Sequence, residues 1–148
     1  MGNIEAGRLL ALDVGDRRIG IAVSDPTGSF AVGLDTVIVT RKGDPIGEIV
    51  QACQAYQVQR IIIGLPVRMD GTDSHQTEKV RQFAQGLGER VAIPLEFFDE
   101  RLTSVLAHQT LKAQGYAPSR HKEWVDQAAA KRILQDYMDR EGYKKDQG

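Results

Sequence analysis

Residues 9–25 read LLALDVGDRRIGIAVSD. Leu9 to Leu12 form a short apolar run, Asp13 stands at its end, Gly15-Asp16-Arg17-Arg18 is polar, and Ile19 to Val23 resume the apolar pattern. Two apolar runs joined by a short polar connection containing glycine predict a β-hairpin, with strands over Arg8–Val14 and Arg18–Ser24. Asp13 sits oddly in this pattern. Aspartate is a poor strand former, and its charge is costly to bury without a partner. An acid at the tip of such a strand either caps the turn or awaits a cation.

Working outward, Asp25-Pro26-Thr27-Gly28 is a turn, and the β-branched residues of Ala31–Thr40 predict a third strand, completing an antiparallel meander. Gly43-Asp44-Pro45 opens a helix, with Asp44 as N-cap and Pro45 at the first helical position. Ile46, Ile49, Val50 and Cys53 share one of its faces. Arg60–Gly64 (RIIIG) is a continuous apolar run of the kind that suits a central parallel strand buried on both faces. After a polar loop, a second helix spans Ser74–Leu87, with Val80, Phe83, Ala84 and Leu87 facing inward. Val91–Phe98 is read as the fifth strand and ends in Asp99-Glu100-Arg101. Thr103 caps a third helix to about Gln114, a basic loop covers 115–122, and a last helix runs from about Glu123 to Arg140. Residues 1–7 and 141–148 read as loose tails around one domain.

The element order βββαβαβαα, with right-handed crossovers after the meander, gives an α/β fold. It is a five-stranded mixed sheet of order 3-2-1-4-5 with helices on both faces. Strands one, four and five then run parallel, and their carboxyl ends share one edge, where open α/β sheets bind ligands. Asp13 and the Asp99-Glu100 pair lie at two of those ends.

The last helix adds a third acid. Asp126, Ala129, Ala130, Ile133 and Tyr137 fall on one helical stripe, so Asp126 heads the face that carries the apolar residues. The blander reading is an acid favoured by the helix dipole. Carboxylates converging at one edge repel one another unless a cation sits among them, and oxygen-only ligands suit Mg²⁺ or Mn²⁺. The three histidines and the single Cys53 show no zinc spacing. Two such metals would clamp the attacking and leaving oxygens in phosphodiester hydrolysis.

Composition sets the outer bounds. The chain has 148 residues, 41% hydrophobic and 26% charged, with a net charge of −1. This fits one globular domain and gives no global basic signal for nucleic acid. A single cysteine points to a reducing compartment. With no membrane-spanning run and no signal-peptide pattern, a soluble cytoplasmic protein with no membrane partner is expected.

Four segments, ALDVGDRRIGIAVSD, IIIGLPVRMDG, FFDERLTS and VDQAAAKRILQDY, together resemble the motifs of the YqgF family. These are ribonuclease H-like proteins described as Holliday junction resolvases and as pre-16S rRNA processing nucleases. The resemblance covers nearly the whole chain. It implies the same fold, a divalent metal cofactor and a role in ribosomal RNA maturation. It carries the family's first-strand acid to Asp13, its strand-end acid to Glu100 and its helix acid to Asp126. Strand alternation sends Asp99 and Glu100 to opposite faces, so only one reaches the metals; the motif puts Glu100 there. The family often has a small polar residue where this chain has Arg68, and no role is assigned to that position.

Arg17, Arg18, Arg101, Arg120 and Lys122 lie in turns near the acidic edge. They are either phosphate contacts or ordinary solvated charges; Arg17 and Arg101 each follow an acidic motif closely. Tyr116 and Trp124 offer base stacking, against simple packing for Trp124. His121 offers proton transfer, against a solvated loop histidine.

The expected partner is nucleic acid, precursor rRNA before structured DNA such as a four-way junction, bound by a monomer or weak homodimer. Two other classes compete. DVGDRRIG also resembles the first phosphate-binding loop of actin-like and sugar-kinase ATPases, but those bind nucleotide between two such lobes and this length makes one. A catalytically silent RNA-binding protein is the other, disfavoured by the three acids.

Overall fold

The computed structural model describes residues 7–102 and 122–147, with side chains through Arg101 and from Gln127 to Arg140. The expected helix over Thr103–Gln114, the loop with Tyr116, Arg120 and His121, and the side chains of Lys122, Trp124 and Asp126 lie outside the described residues.

The meander forms as its apolar runs dictate, with β1 (Arg8–Val14), β2 (Arg18–Ser24) and β3 (Ala31–Ile38). Gly15 N–H donates to the Arg18 carbonyl at 2.9 Å, closing the β1–β2 turn. A Cβ on residue 15 would lie 2.8 Å from that oxygen, so the turn requires glycine. β3 stops at Ile38, short of the expected Thr40, although Val39 N–H still donates to the Arg17 carbonyl. Helix α1 (Pro45–Ala55) starts as its sequence specifies: the Asp44 carboxylate accepts from Gly47 N–H, and Pro45 needs no acceptor. Arg90 grips the same carboxylate with two hydrogen bonds.

β4 (Val58–Leu65) is the central strand. Ile61, Ile62 and Ile63 are all fully buried, as a run covered on both faces must be. Helix α2 (His75–Gly88) is capped by Ser74 in a reciprocal box with Thr77. The expected fifth strand was too long: β5 covers Leu95–Asp99, not Val91–Phe98. Pro94 has no N–H to give a ladder; only its carbonyl serves, accepting from Ile61 N–H. A 3-10 turn, Glu100–Leu102, follows at once. The last helix, α3 (Lys122–Gln147), runs past Arg140.

The sheet order is β3-β2-β1-β4-β5, with β1 antiparallel to β2 and parallel to β4. Strand alternation sorts the core into two clusters. Leu10, Leu12, Ile61 and Ile63 meet α1 and α2 on one face. Ala11, Ala22, Ile62 and Phe98 meet Ala130, Ile133, Leu134, Tyr137 and Met138 of α3 on the other. Ala11 and Ala22, with Gly33 and Gly64 against α3 side chains, let that helix sit close to the sheet. No helix among the described residues is long and apolar enough to cross a membrane.

Candidate active site

The parallel strands β1, β4 and β5 end at one edge, and the site is built there on the α3 face. Asp13 follows Ala11 by two residues, so it shares Ala11's face, beneath α3. It pairs in register with Gly20 of β2. Glu100 follows Phe98 by two, and its carboxylate also turns to this face. The decisive contact is at Gly64 of β4. A Cβ on Gly64 would stand 2.6 Å from Ile133 Cδ1, 3.1 Å from Glu100 Oε2 and 3.3 Å from Glu100 Cδ. The missing side chain is therefore the seat into which both the Glu100 carboxylate and α3 fit.

Burial pushes the Glu100 carboxyl up to about 7; the negative charges of Asp13 and, less, Asp99 push the same way, while Arg132 of α3 opposes them. Asp13 and Glu100 are thus brought into electrostatic contact, in a partly desolvated place.

Asp99 is used differently. Its carboxylate accepts from the backbone N–H, Nε and Nη2 of Arg101, the last at 2.6 Å, and this pairing holds the carboxyl below the usual carboxylate range. Arg101 also donates from Nη1 to the Met69 carbonyl at 3.1 Å. Its guanidinium staples the loop after β4 to the end of β5. That loop is further fixed by hydrogen bonds from Gly71 N–H to the Arg68 carbonyl, from Arg68 N–H to the Thr72 carbonyl, and from the Thr77 hydroxyl to the Pro66 carbonyl.

Arg17 is exposed at the tip of the β1–β2 turn. Beside it, Asp16 takes an ion pair from Lys79 at 3.1 Å. Arg18 starts β2 with the same parity as Ala22, so it belongs to the α3 face with Asp13; its Nε is buried without a hydrogen-bond partner among the described residues. Asp126 lies in the first turns of α3 by backbone, four residues before buried Ala130 and seven before buried Ile133. Among the described residues no three His, Cys, Asp or Glu side chains group around one point; the third expected acid is outside them.

Two residues that sequence reasoning passed over belong to the site. Gly64 had a signal, a glycine inside an otherwise β-branched buried strand. Arg132, whose Nε is also buried without a partner among the described residues, had none, because a charged residue beside a helix stripe reads as solvent-facing.

The sequence profile described as "RuvX: Holliday junction resolvase" matches residues 7–140. The chain belongs to this family. All four quoted motifs lie inside the match, so the resemblance drawn from them is borne out. Proteins carrying the name "Putative pre-16S rRNA nuclease" are similar along most of their length. One from Chloroflexus aurantiacus is 45% identical, covering 88% of this chain and 86% of its own. One from Clostridium novyi is 44% identical, covering 89% and 98%. Among solved structures, the Fowlpox virus resolvase with Holliday junction DNA aligns with a TM-score of 0.55 at 11% identity, over 89% of this chain and 97% of its own. RuvC of T. thermophilus with a Holliday junction substrate aligns at 0.53 and 12%, over 88% and 91%. At such identities these two speak for the ribonuclease H-like fold alone.

Proposed function

We propose that this nuclease cleaves precursor 16S rRNA, using a divalent cation, Mg²⁺ or Mn²⁺, held by Asp13, Glu100 and Asp126. The observation that carries the reading is the separation of the two adjacent acids. Asp99 is spent on Arg101, whereas Glu100 is turned through the Gly64 gap toward Asp13. Carboxylate oxygens suit a hard cation, and placing like charges together in a desolvated spot is a cost that a cation would relieve. The cation would supply activation of water and stabilisation of charge on the scissile phosphate.

The protein's own groups do the rest. Glu100, its carboxyl raised by burial and by the Asp13 charge, would be held in its charged form by a cation beside it. Arg17, exposed at the hairpin tip, and Lys122, at the start of α3, take phosphates flanking the scissile one, with Arg18 nearer the acids. Arg101 contributes mainly by fixing the loop through which the substrate backbone is steered.

The choice of rRNA is supported by the names of relatives that align over most of their length. The family's description supports a second substrate, the four-way DNA junction. A symmetric double cut there calls for a dimer, whereas rRNA processing needs only a monomer or weak homodimer. The test is side-by-side incubation with precursor 16S rRNA and a four-way junction, with Mg²⁺, Mn²⁺ or excess chelator. rRNA cleavage that stops in chelator and returns with either metal supports the proposal. Full activity in chelator refutes the metal site, and cleavage of the junction alone moves the assignment to the second substrate.

A further inference from the structure

Arg132 presents a physical problem. It sits on α3 beside Ile133, which itself packs into the Gly64 gap next to the Glu100 carboxylate. Its charge is felt at Glu100, yet its Nε is buried with no hydrogen-bond partner among the described residues. A guanidinium carries five N–H donors in a rigid fork, and a buried donor without an acceptor is unfavourable. The arrangement makes sense if an acceptor arrives with the ligand. Planar, paired N–H groups match two oxygens of a carboxylate or a phosphate, and in a nucleic-acid ligand that partner is a phosphate.

We propose that Arg132 is a substrate-binding residue with two successive partners: it counterbalances the Glu100 carboxylate before a cation binds, and takes a phosphate oxygen of the nucleic acid once the cation is in place. With a cation held by Asp13 and Glu100, Arg132 would no longer be needed as their counter-charge, and its fork would be free for an incoming anion. Arg132 therefore weakens cation binding to the resting protein and strengthens substrate binding to the loaded one. The inference rests on the metal site described under Proposed function.

Two variants separate the parts. Arg132→Gln keeps a polar stem and removes the charge. Arg132→Lys keeps the charge and removes the fork. For each, Mn²⁺ affinity is measured by calorimetry without substrate, and affinity for a labelled RNA spanning the 16S precursor end is measured with Ca²⁺ present. Folding is checked by thermal melting. Arg132→Gln is expected to tighten Mn²⁺ binding roughly 3- to 30-fold and to weaken RNA binding by a similar factor. Arg132→Lys is expected to leave Mn²⁺ affinity near wild type and still weaken RNA binding, because a point charge does not replace a fork. A side chain that only packs would move neither constant, or move both the same way, and that result overturns the proposal. Should Arg132→Gln fail to fold, unchanged RNA affinity in Arg132→Lys overturns it alone. Asp13→Asn is the control. If it abolishes Mn²⁺ binding while Arg132→Gln changes nothing, the metal site stands and the Arg132 role falls. If wild type and Asp13→Asn bind Mn²⁺ alike, the metal site falls and takes this role with it.

Discussion

Replacing Gly64 by alanine tests the seat on which the site depends. The added methyl would stand 2.6 Å from Ile133 Cδ1 and 3.1 Å from Glu100 Oε2. Carbon–carbon contacts settle at about 3.5–4.0 Å, so the Ile133 overlap is about 1 Å. Ile133 is fully buried and has nowhere easy to go. Overpacking of this kind costs roughly 1–3 kcal/mol. Alanine returns about 0.5–1 kcal/mol through the strand's lower conformational entropy loss, leaving a net loss of about 0–2.5 kcal/mol. For a domain of this size the centre of that range lowers the melting temperature by about 3–6 °C. Cleavage falls further than stability accounts for, because the methyl also displaces the Glu100 carboxylate. A double-mutant cycle sharpens the test. Ile133→Val removes the colliding Cδ1; it should cost about 0.5–1.5 kcal/mol alone and much less, or nothing, in the Gly64→Ala background. Denaturant unfolding of the four proteins measures this. A Gly64→Ala protein as stable and active as wild type, or a cycle with no coupling, would refute the close-approach reasoning.

Three further outcomes are expected. Burial and the nearby Asp13 charge raise the folded pKa of Glu100 to about 7 from an ordinary value of 4.5, so the folded state binds more protons than the unfolded one between those values. Stability of the cation-free protein should therefore fall as pH rises through that window, by at most about 1.4 kcal/mol per pH unit; Glu100→Gln should abolish the fall, so that melts in chelator show the variant gaining on wild type at pH 8 and not at pH 4. Arg17→Ala should weaken RNA binding and reduce the salt slope by about one, whereas Arg101→Ala should first show as faster amide exchange over residues 68–72, the loop it staples; an unchanged exchange pattern would refute the staple. Asp126→Asn should lose cleavage by orders of magnitude and melt no lower in chelator; a helix-dipole acid would instead lose about 0.3–1 kcal/mol and stay active.

The order β3-β2-β1-β4-β5 was legible because it follows from local patterns plus one chirality rule. The meander, the Asp44-Pro45 start and the triple-isoleucine strand each announce themselves within a few residues. Pro94 was legible too, but the apolar run Val91-Ala92-Ile93 outweighed it and made β5 too long. Alternation separated Asp99 from Glu100 without saying which turns inward. What decides that is the partnership of Asp99 with Arg101 and of Glu100 with Gly64, the latter a contact between strands 36 residues apart in number alone. That Arg101 also holds the Met69 carbonyl was not legible, because this depends on where a distant loop passes. Arg132 was missed for a similar reason: helical spacing carries no record that its Nε is buried.

The helix that completes the α3 face follows all five strands in the chain, and it supplies Ala130, Ile133, Leu134, Tyr137 and Met138 to that half of the core. Domains fold as units, so a sheet without these residues has one face uncovered and half its core missing. The acids of the sheet edge therefore depend for their finished surroundings on a helix that the chain reaches only after every strand.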